Sequence, residues 1–241
     1  MNECVIKIKN LSKTFKVFKS DTDVVIDVFM PRPHKPIKAL KNMELEVYKG
    51  EVLGLIGLNG SGKTTLLKII AGILVPDDGA EIEVNGTIGT MIALGTGFND
   101  ELTGRENIYY RAELIGIKRK AVENNILTII EYSGLADRID DRLSTYSSGM
   151  KARLGFAFNA FIEPDILMVD EITAVGDIKF KEKAQKTIRE LFNSNKTIIF
   201  VSHNLNEIES YCTRVVVLKY GEIKDIGDAA TIIENYKNNQ Y

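Results

Sequence analysis

Residues 52–64 constrain this chain more than any other stretch: Val52-Leu53-Gly54-Leu55-Ile56 runs directly into Gly57-Leu58-Asn59-Gly60-Ser61-Gly62-Lys63-Thr64. A near-continuous apolar run of this length reads as a parallel strand buried on both faces. The octet after it fills every fixed position of G-x-x-x-x-G-K-[ST], and helical periodicity follows from about Lys63 to Ala71. Strand, glycine-rich loop and helix in that order make a phosphate cradle. Glycines let backbone N–H groups turn inward around phosphate oxygens, and the helix N-terminus adds partial positive charge. Lys63 brings a mobile ammonium to the β- and γ-phosphates, and the Thr64 hydroxyl is a ligand suited to Mg²⁺. The expected nucleotide contacts are Gly57, Asn59, Gly60, Ser61, Gly62, Lys63, Thr64 and Thr65.

Apolar runs and amphipathic segments alternate along the rest of the 241 residues. Strand character marks 5–8, 43–47, 166–169, 197–201, 214–218 and 222–226. Two further runs, 81–84 and 87–93, read as a short strand pair around Asn85-Gly86. From about 100 to 162 the pattern is helical. Thr103-Gly104-Arg105-Glu106 reads as a capping box, with Ile108, Ala112 and Ile115 repeating at helical spacing behind it. A second helix runs from about Lys120 to Tyr132 and stops at Ser133-Gly134; a third spans about Gly149 to Glu163 and ends before Pro164. A later helix carries Phe180, Ala184, Ile188, Leu191 and Phe192 on one face, and a terminal helix follows the last strand pair. Alternating strands and helices imply a largely parallel sheet. The expected fold class is α/β: a P-loop NTPase core of mainly parallel sheet, with an antiparallel β element and an inserted α-helical subdomain. One domain, 1–241, would divide into core and β element (1–99 and 163–241) and helical subdomain (100–162).

A formal charge of −2, from 31 basic and 33 acidic residues, argues against a broad basic surface for nucleic acid. Cys4 and Cys212 lie far apart without metal-ligand spacing, which fits a reducing compartment. No apolar stretch approaches the roughly 18–20 residues needed to cross a bilayer, so a membrane process would need another chain for the crossing. Residues 16–37 hold Pro31, Pro33 and Pro36 after the apolar cluster Val24-Val25-Ile26 and Val28-Phe29-Met30. This insertion is either a surface loop with a short packed helix or an apolar element facing a membrane or partner.

The strand Ile166-Leu167-Met168-Val169 ends in Asp170-Glu171. A buried strand ending in Asp delivers that carboxylate to the sheet edge where ligands bind, so Asp170 is expected to hold Mg²⁺. Glu171 is then placed to polarise the water that attacks the γ-phosphate. His203, after the strand 197–201, reaches the same edge one strand further on and is expected at the γ-phosphate. Glu171, His203 and Lys63 are the expected catalytic residues; Thr64 and Asp170 are the expected metal ligands.

Tyr146-Ser147-Ser148-Gly149-Met150 stands before the third helix, upstream of the acid pair. With that segment in place the chain resembles the ABC-family ATPases, whose signature occupies this position. The resemblance covers essentially the whole chain and implies ATP as the nucleotide. It implies a head-to-tail homodimer, each ATP lying between one P-loop and the signature of a second copy, at Ser147, Ser148 and Gly149. It further implies that Ala174-Val175-Gly176-Asp177 is the D-loop, with Asp177 at the dimer interface, and that Phe15 stacks on adenine; taken by itself, Phe15 also reads as an ordinary strand-end core residue. Two departures stand out. The usual signature is Leu-Ser-Gly-Gly-Gln, and the usual glutamine ahead of the helical subdomain is absent from Ala93-Leu94-Gly95-Thr96-Gly97-Phe98.

Tyr-Ser-Ser-Gly-Met, the segment 94–98 with Glu101-Leu102-Thr103-Gly104-Arg105-Glu106-Asn107, the D-loop and the Pro-rich insertion resemble one subgroup. These are the ATPase subunits of bacterial exporters of O-antigen, capsular polysaccharide or wall teichoic acid. The resemblance implies integral membrane permease partners, docking near 93–107, and a place at the cytoplasmic face of a bacterial membrane. No C-terminal carbohydrate-binding domain is expected. The alternatives are an ABC ATPase for another transported substrate, a soluble one acting on nucleic acid or ribosomes, and a P-loop kinase or GTPase-like switch. The last two fit less well: tandem cassettes, coiled-coil insertions and zinc modules are missing, and the acid pair, His203 and signature speak against a kinase.

Overall fold

The apolar run at 52–56 forms β3 (Val52–Ile56), with all five residues buried. It lies inside a six-stranded sheet in the computed structural model, which describes residues 3–16, 36–91, 97–170, 178–238 and 240. The other strands are β5 (Ile88–Thr90), β6 (Ile166–Asp170), β7 (Thr197–Val201), β8 (Arg214–Lys219) and β9 (Glu222–Asp228). Their order is β5-β6-β7-β3-β8-β9, parallel throughout except for β9, which runs antiparallel to β8. A second, antiparallel sheet places β1 (Cys4–Lys16) between β2 (Pro36–Tyr48) and β4 (Glu81–Val84).

Strand side chains alternate between faces, so the large sheet divides the core in two. Leu53, Leu55, Met168, Ile199 and Val216 pack against the antiparallel sheet and α1 (Lys63–Ile70). Leu167, Val169, Phe200, Val215 and Val217 face the opposite cluster. That cluster holds α2 (Gly104–Leu114), α3 (Arg119–Ser133), α4 (Ser148–Phe161), α5 (Ile178–Phe192), α6 (Leu205–Tyr211) and α7 (Ala229–Lys237). The expected apolar face of α5 is buried at Phe180, Ala184, Ile188 and Phe192, with Leu191 packed at its edge.

Local signals place the helix ends. Thr103 Oγ1 accepts from Glu106 N while the Glu106 carboxylate accepts from Thr103 N, so the capping box forms as expected. Gly134 ends α3 in the left-handed region at φ 66°, where a Cβ is disfavoured. Two features differ from the sequence reading. β1 and β2 are each 13 residues long because bulges, with Asn10 and Asn42 at φ 51° and 42°, carry pairing through polar positions that break the alternation. The runs at 81–84 and 87–93 do not pair with each other: β4 joins β1 in one sheet and β5 joins β6 in the other. Asp165 causes the split. Its Oδ2 accepts from Thr87 N at 2.8 Å and Thr87 Oγ1 at 2.7 Å, capturing the chain beside β6 directly after Gly86. The sequence pattern does not disclose α6. Among the described residues no helix is long and apolar enough to cross a membrane.

Candidate nucleotide site

The loop after β3 is held by two close approaches. A Cβ on Gly57, at φ 149°, would lie 2.2 Å from Leu218 O of β8. One on Gly62, at φ 110°, would press on Leu40 Cδ2 at 2.7 Å and Ala39 O at 2.8 Å. Only glycine fits at either point, so the loop is clamped between β8 and β2. Gly62 is the N-cap of α1 and no side chain caps that end, which leaves first-turn N–H groups for an anion.

Lys63 is nearly buried, and its Nζ donates to Gly57 O at 2.6 Å and Leu58 O at 3.2 Å. The ammonium is thus tethered over the loop with donor capacity to spare, since it has three N–H bonds. Burial pushes its pKa below the usual lysine range, and the Asp170 carboxylate pulls the other way. Asp170, half-buried at the end of β6, is pushed up by burial and drawn back by Lys63 and His203. One cavity of about 650 Å³ collects these groups: Asn59 to Thr65 from the loop and α1, Asp170, and His203 from beyond β7. Gly57 lies behind it, lining with Asn59 and His203 a second cavity of about 360 Å³.

The short helix α6 fixes the turn that carries His203. Asn204 caps it by accepting from Asn206 N, Asn204 N donates to Ser202 Oγ at 3.1 Å, and Ser202 Oγ donates to Glu207 at 2.8 Å. Three residues far apart in sequence, Lys63, Asp170 and His203, are thereby brought to one sheet edge. Thr64 and Asp170 share the cavity and both offer hard oxygen donors. One or two protein oxygens, completed by phosphates and water, are the usual protein share of a Mg²⁺ site, and these two side chains offer that many.

Phe15 is partly exposed and pairs with Ile37, which lines the cavity; Phe15 itself stands beside the lining. Ser147, Ser148 and Gly149 open α4 and do not line the cavity of Lys63. Ser147 Oγ caps the helix by accepting from Met150 N at 3.2 Å, so its hydroxyl proton points elsewhere; Ser147 and Ser148 are exposed. Tyr146 explains the first signature departure: its ring is buried and its hydroxyl donates to Arg138 O. Glu171, Asp177 and residues 92–96 lie outside the described residues. The sequence reading missed Lys38, Lys41 and Tyr220, which line the same cavity; the only trace was the Tyr220-Gly221 turn between two strands.

A parallel sheet edge gathering a clamped P-loop, a strand-end carboxylate and a histidine, with a helical unit bearing an exposed serine-capped helix, defines an ATP-binding cassette. The chain belongs to the ABC transporter family, whose pattern matches residues 40–174, and it is an ABC-type ATPase. It is 44% identical over 242 residues to the O-antigen export system ATP-binding protein RfbB of Klebsiella pneumoniae, covering 98% of each chain. It is 40% identical over 233 residues to the teichoic acids export ATP-binding protein TagH of Bacillus cereus. That match covers 96% of this chain but spans only 42% of the relative. The fold is shared with the ATP-binding subunit of an ABC transporter at TM-score 0.72 and 22% identity, over 97% of this chain and 93% of that one. It is shared also with the dimeric post-hydrolysis cassette MJ0796 bound to ADP and Pi, at TM-score 0.68 and 23% identity, over 93% and 98%.

Proposed function

We propose that this chain is the ATP-driven motor of an exporter for a lipid-linked polysaccharide or teichoic acid, working at the cytoplasmic face of a bacterial membrane through a separate permease. The observation that carries the reading is full-length identity of 44% to an O-antigen export ATP-binding protein, joined to a cavity that contains Lys63, Thr64, Asp170 and His203.

In this reading the loop N–H groups, Lys63, Thr64 and Thr65 bind the triphosphate, and Phe15 stacks on adenine. Thr64 and Asp170 would hold Mg²⁺, which when bound neutralises charge on the β- and γ-phosphate oxygens. Glu171 takes the proton of the water that forms the new O–P bond as the bond to the ADP oxygen breaks. General-base assistance of that kind contributes about 10²–10⁴-fold. His203 holds the γ-phosphate in line. The signature of a second copy completes the site: the Ser147 hydroxyl and the N-terminal amides of α4 face the γ-phosphate from across the interface, and Asp177 links the two copies. ATP bridging two surfaces supplies the differential affinity that closes the dimer, and hydrolysis removes it.

The test is reconstitution of the chain in proteoliposomes with a permease of a polysaccharide or teichoic acid exporter. Defined lipid-linked glycans should raise ATP turnover, and labelled glycan should cross only with ATP present. Turnover indifferent to every lipid-linked glycan, with unrelated substrates stimulating it, would assign the motor to another cargo.

A further inference from the structure

We propose that Tyr220 is a nucleotide-contacting residue that grips the nucleoside end of the bound triphosphate; the role rests on the ATP-binding reading of the cavity. β8 and β9 are joined by a two-residue turn, since Lys219 pairs with Glu222 and leaves Tyr220 and Gly221 between them. Their φ values are 54° and 80°, the doubly left-handed turn for which Asn-Gly and Asp-Gly are the favoured sequences. A bulky residue at positive φ is disfavoured. Nothing in the core offsets that cost, because Tyr220 is 69% exposed. An aromatic ring in a conformation it disfavours, bare to solvent, contributes little to folding. Its position is what distinguishes it: Tyr220 lines the cavity of Lys63, Thr64 and Thr65.

The turn is bolted to both neighbours of that cavity. Gly221 N donates to Ser61 O of the P-loop at 3.0 Å, and Lys41 N of β2 donates to Gly221 O at 2.8 Å. A Cβ on Gly221 would lie 2.6 Å from Ala39 O, so the turn sits hard against β2. Tyr220 is therefore held at a set distance from the phosphate-binding loop. Lys63, Asp170 and His203 supply charge to the phosphate end. Tyr220 lines the same cavity, but its turn is fastened to β2 at Ala39 and Lys41, and Ile37 of that strand, also in the lining, is the strand partner of Phe15. Lys219 Nζ lies 5.7 Å over one face of the Tyr220 ring, so the nucleoside meets the opposite face or the phenol edge. A flat apolar ring with one hydroxyl matches a ribose and base, not a phosphate chain.

The experiment compares ATP with inorganic tripolyphosphate, both with Mg²⁺, by calorimetry on the full chain. Tyr220→Asn removes the ring and substitutes a residue the turn prefers, so the fold is kept. ATP should bind this variant about fivefold more weakly while tripolyphosphate binding is unchanged. Unaltered ATP affinity, or an equal loss for both ligands, would overturn the proposal. Lys63→Ala separates the underlying reading: if it binds both ligands as well as wild type, the cavity is not the triphosphate site, whatever Tyr220 does.

Discussion

Asp170 and Lys63 hold opposite charges across the nucleotide cavity, and burial outweighs their attraction for both groups. The Asp170 carboxyl consequently keeps its proton above its ordinary value of 3.8. In that range the folded chain binds more protons than the unfolded one, so stability falls as pH rises. Asp170→Asn, which mimics the neutral acid, should melt higher than wild type at pH 7, with the gap closing below about pH 3.8. ATP turnover should collapse in the same variant. A lower melting temperature at pH 7 would show that the attraction to Lys63 outweighs burial after all.

Arg111 presents a second buried charge, away from the cavity. Its guanidinium lies 5.0 Å from the Phe98 ring centroid and 5.2 Å from that of Phe158, and Nη1 is buried without a hydrogen-bond partner. Burial lowers its pKa to about 10, with no carboxylate offsetting the effect among the described residues. Replacing an uncompensated buried charge by an apolar group of similar reach relieves desolvation. Arg111→Met should therefore be on the order of 1 kcal/mol more stable in urea at pH 7. Wild type should gain on the variant as pH rises past about 10, because the folded guanidinium gives up its proton first. Destabilisation at pH 7 would mean that the two ring contacts outweigh the desolvation.

What the sequence disclosed and what it withheld divide along the range of the forces. The P-loop and the Thr103–Glu106 box were legible because both are built from contacts within a few residues. The separation of β4 from β5 was not, because Asp165, which decides it, lies 78 positions from Thr87. The bulges at Asn10 and Asn42 hid most of β1 and β2 for a related reason: cross-strand bonds such as Asn42 N to Ser12 Oγ sustain strands whose own patterns are broken. The meeting of Lys63, Asp170 and His203 followed from strand ends and a parallel sheet. For Tyr220 the sequence showed only a turn between two strands; its place at the cavity depends on the pinning of that turn to Ser61 and Lys41. The roles of Ser147 to Gly149 came from family likeness alone; the single chain offers only an exposed, capped helix start.

Tyr146 and Gly104 predict a measurable couple inside the helical unit. The Tyr146 hydroxyl donates to Arg138 O, and a Cβ on Gly104 would sit 2.6 Å from that hydroxyl and 2.9 Å from Ile139 O. Tyr146→Phe should lose about 1 kcal/mol in urea unfolding, the net worth of one such bond. Gly104→Ala should lose more, since a backbone oxygen cannot step aside. Adding Tyr146→Phe to Gly104→Ala should recover part of that loss, as the oxygen it clashes with is gone. Strict additivity would place the strain of Gly104→Ala entirely on Ile139.

The two-copy site can be tested by complementation. Glu171→Gln should retain ATP affinity, lower turnover at least about 100-fold and form an ATP-dependent dimer on gel filtration. Ser147→Arg should cost about 1 kcal/mol by losing the α4 cap, leave ATP binding to the monomer unchanged, and abolish turnover. Lys63→Ala should fail for the opposite reason, through its own loop. In a mixed dimer of Ser147→Arg with Lys63→Ala, one composite site joins the intact loop of the first to the intact signature of the second. Random mixing makes half the dimers mixed, each with one good site of two, so an equimolar mixture should regain up to about a quarter of wild-type turnover. Two dead variants that stay dead together, while still forming dimers, would remove the signature from the hydrolytic site.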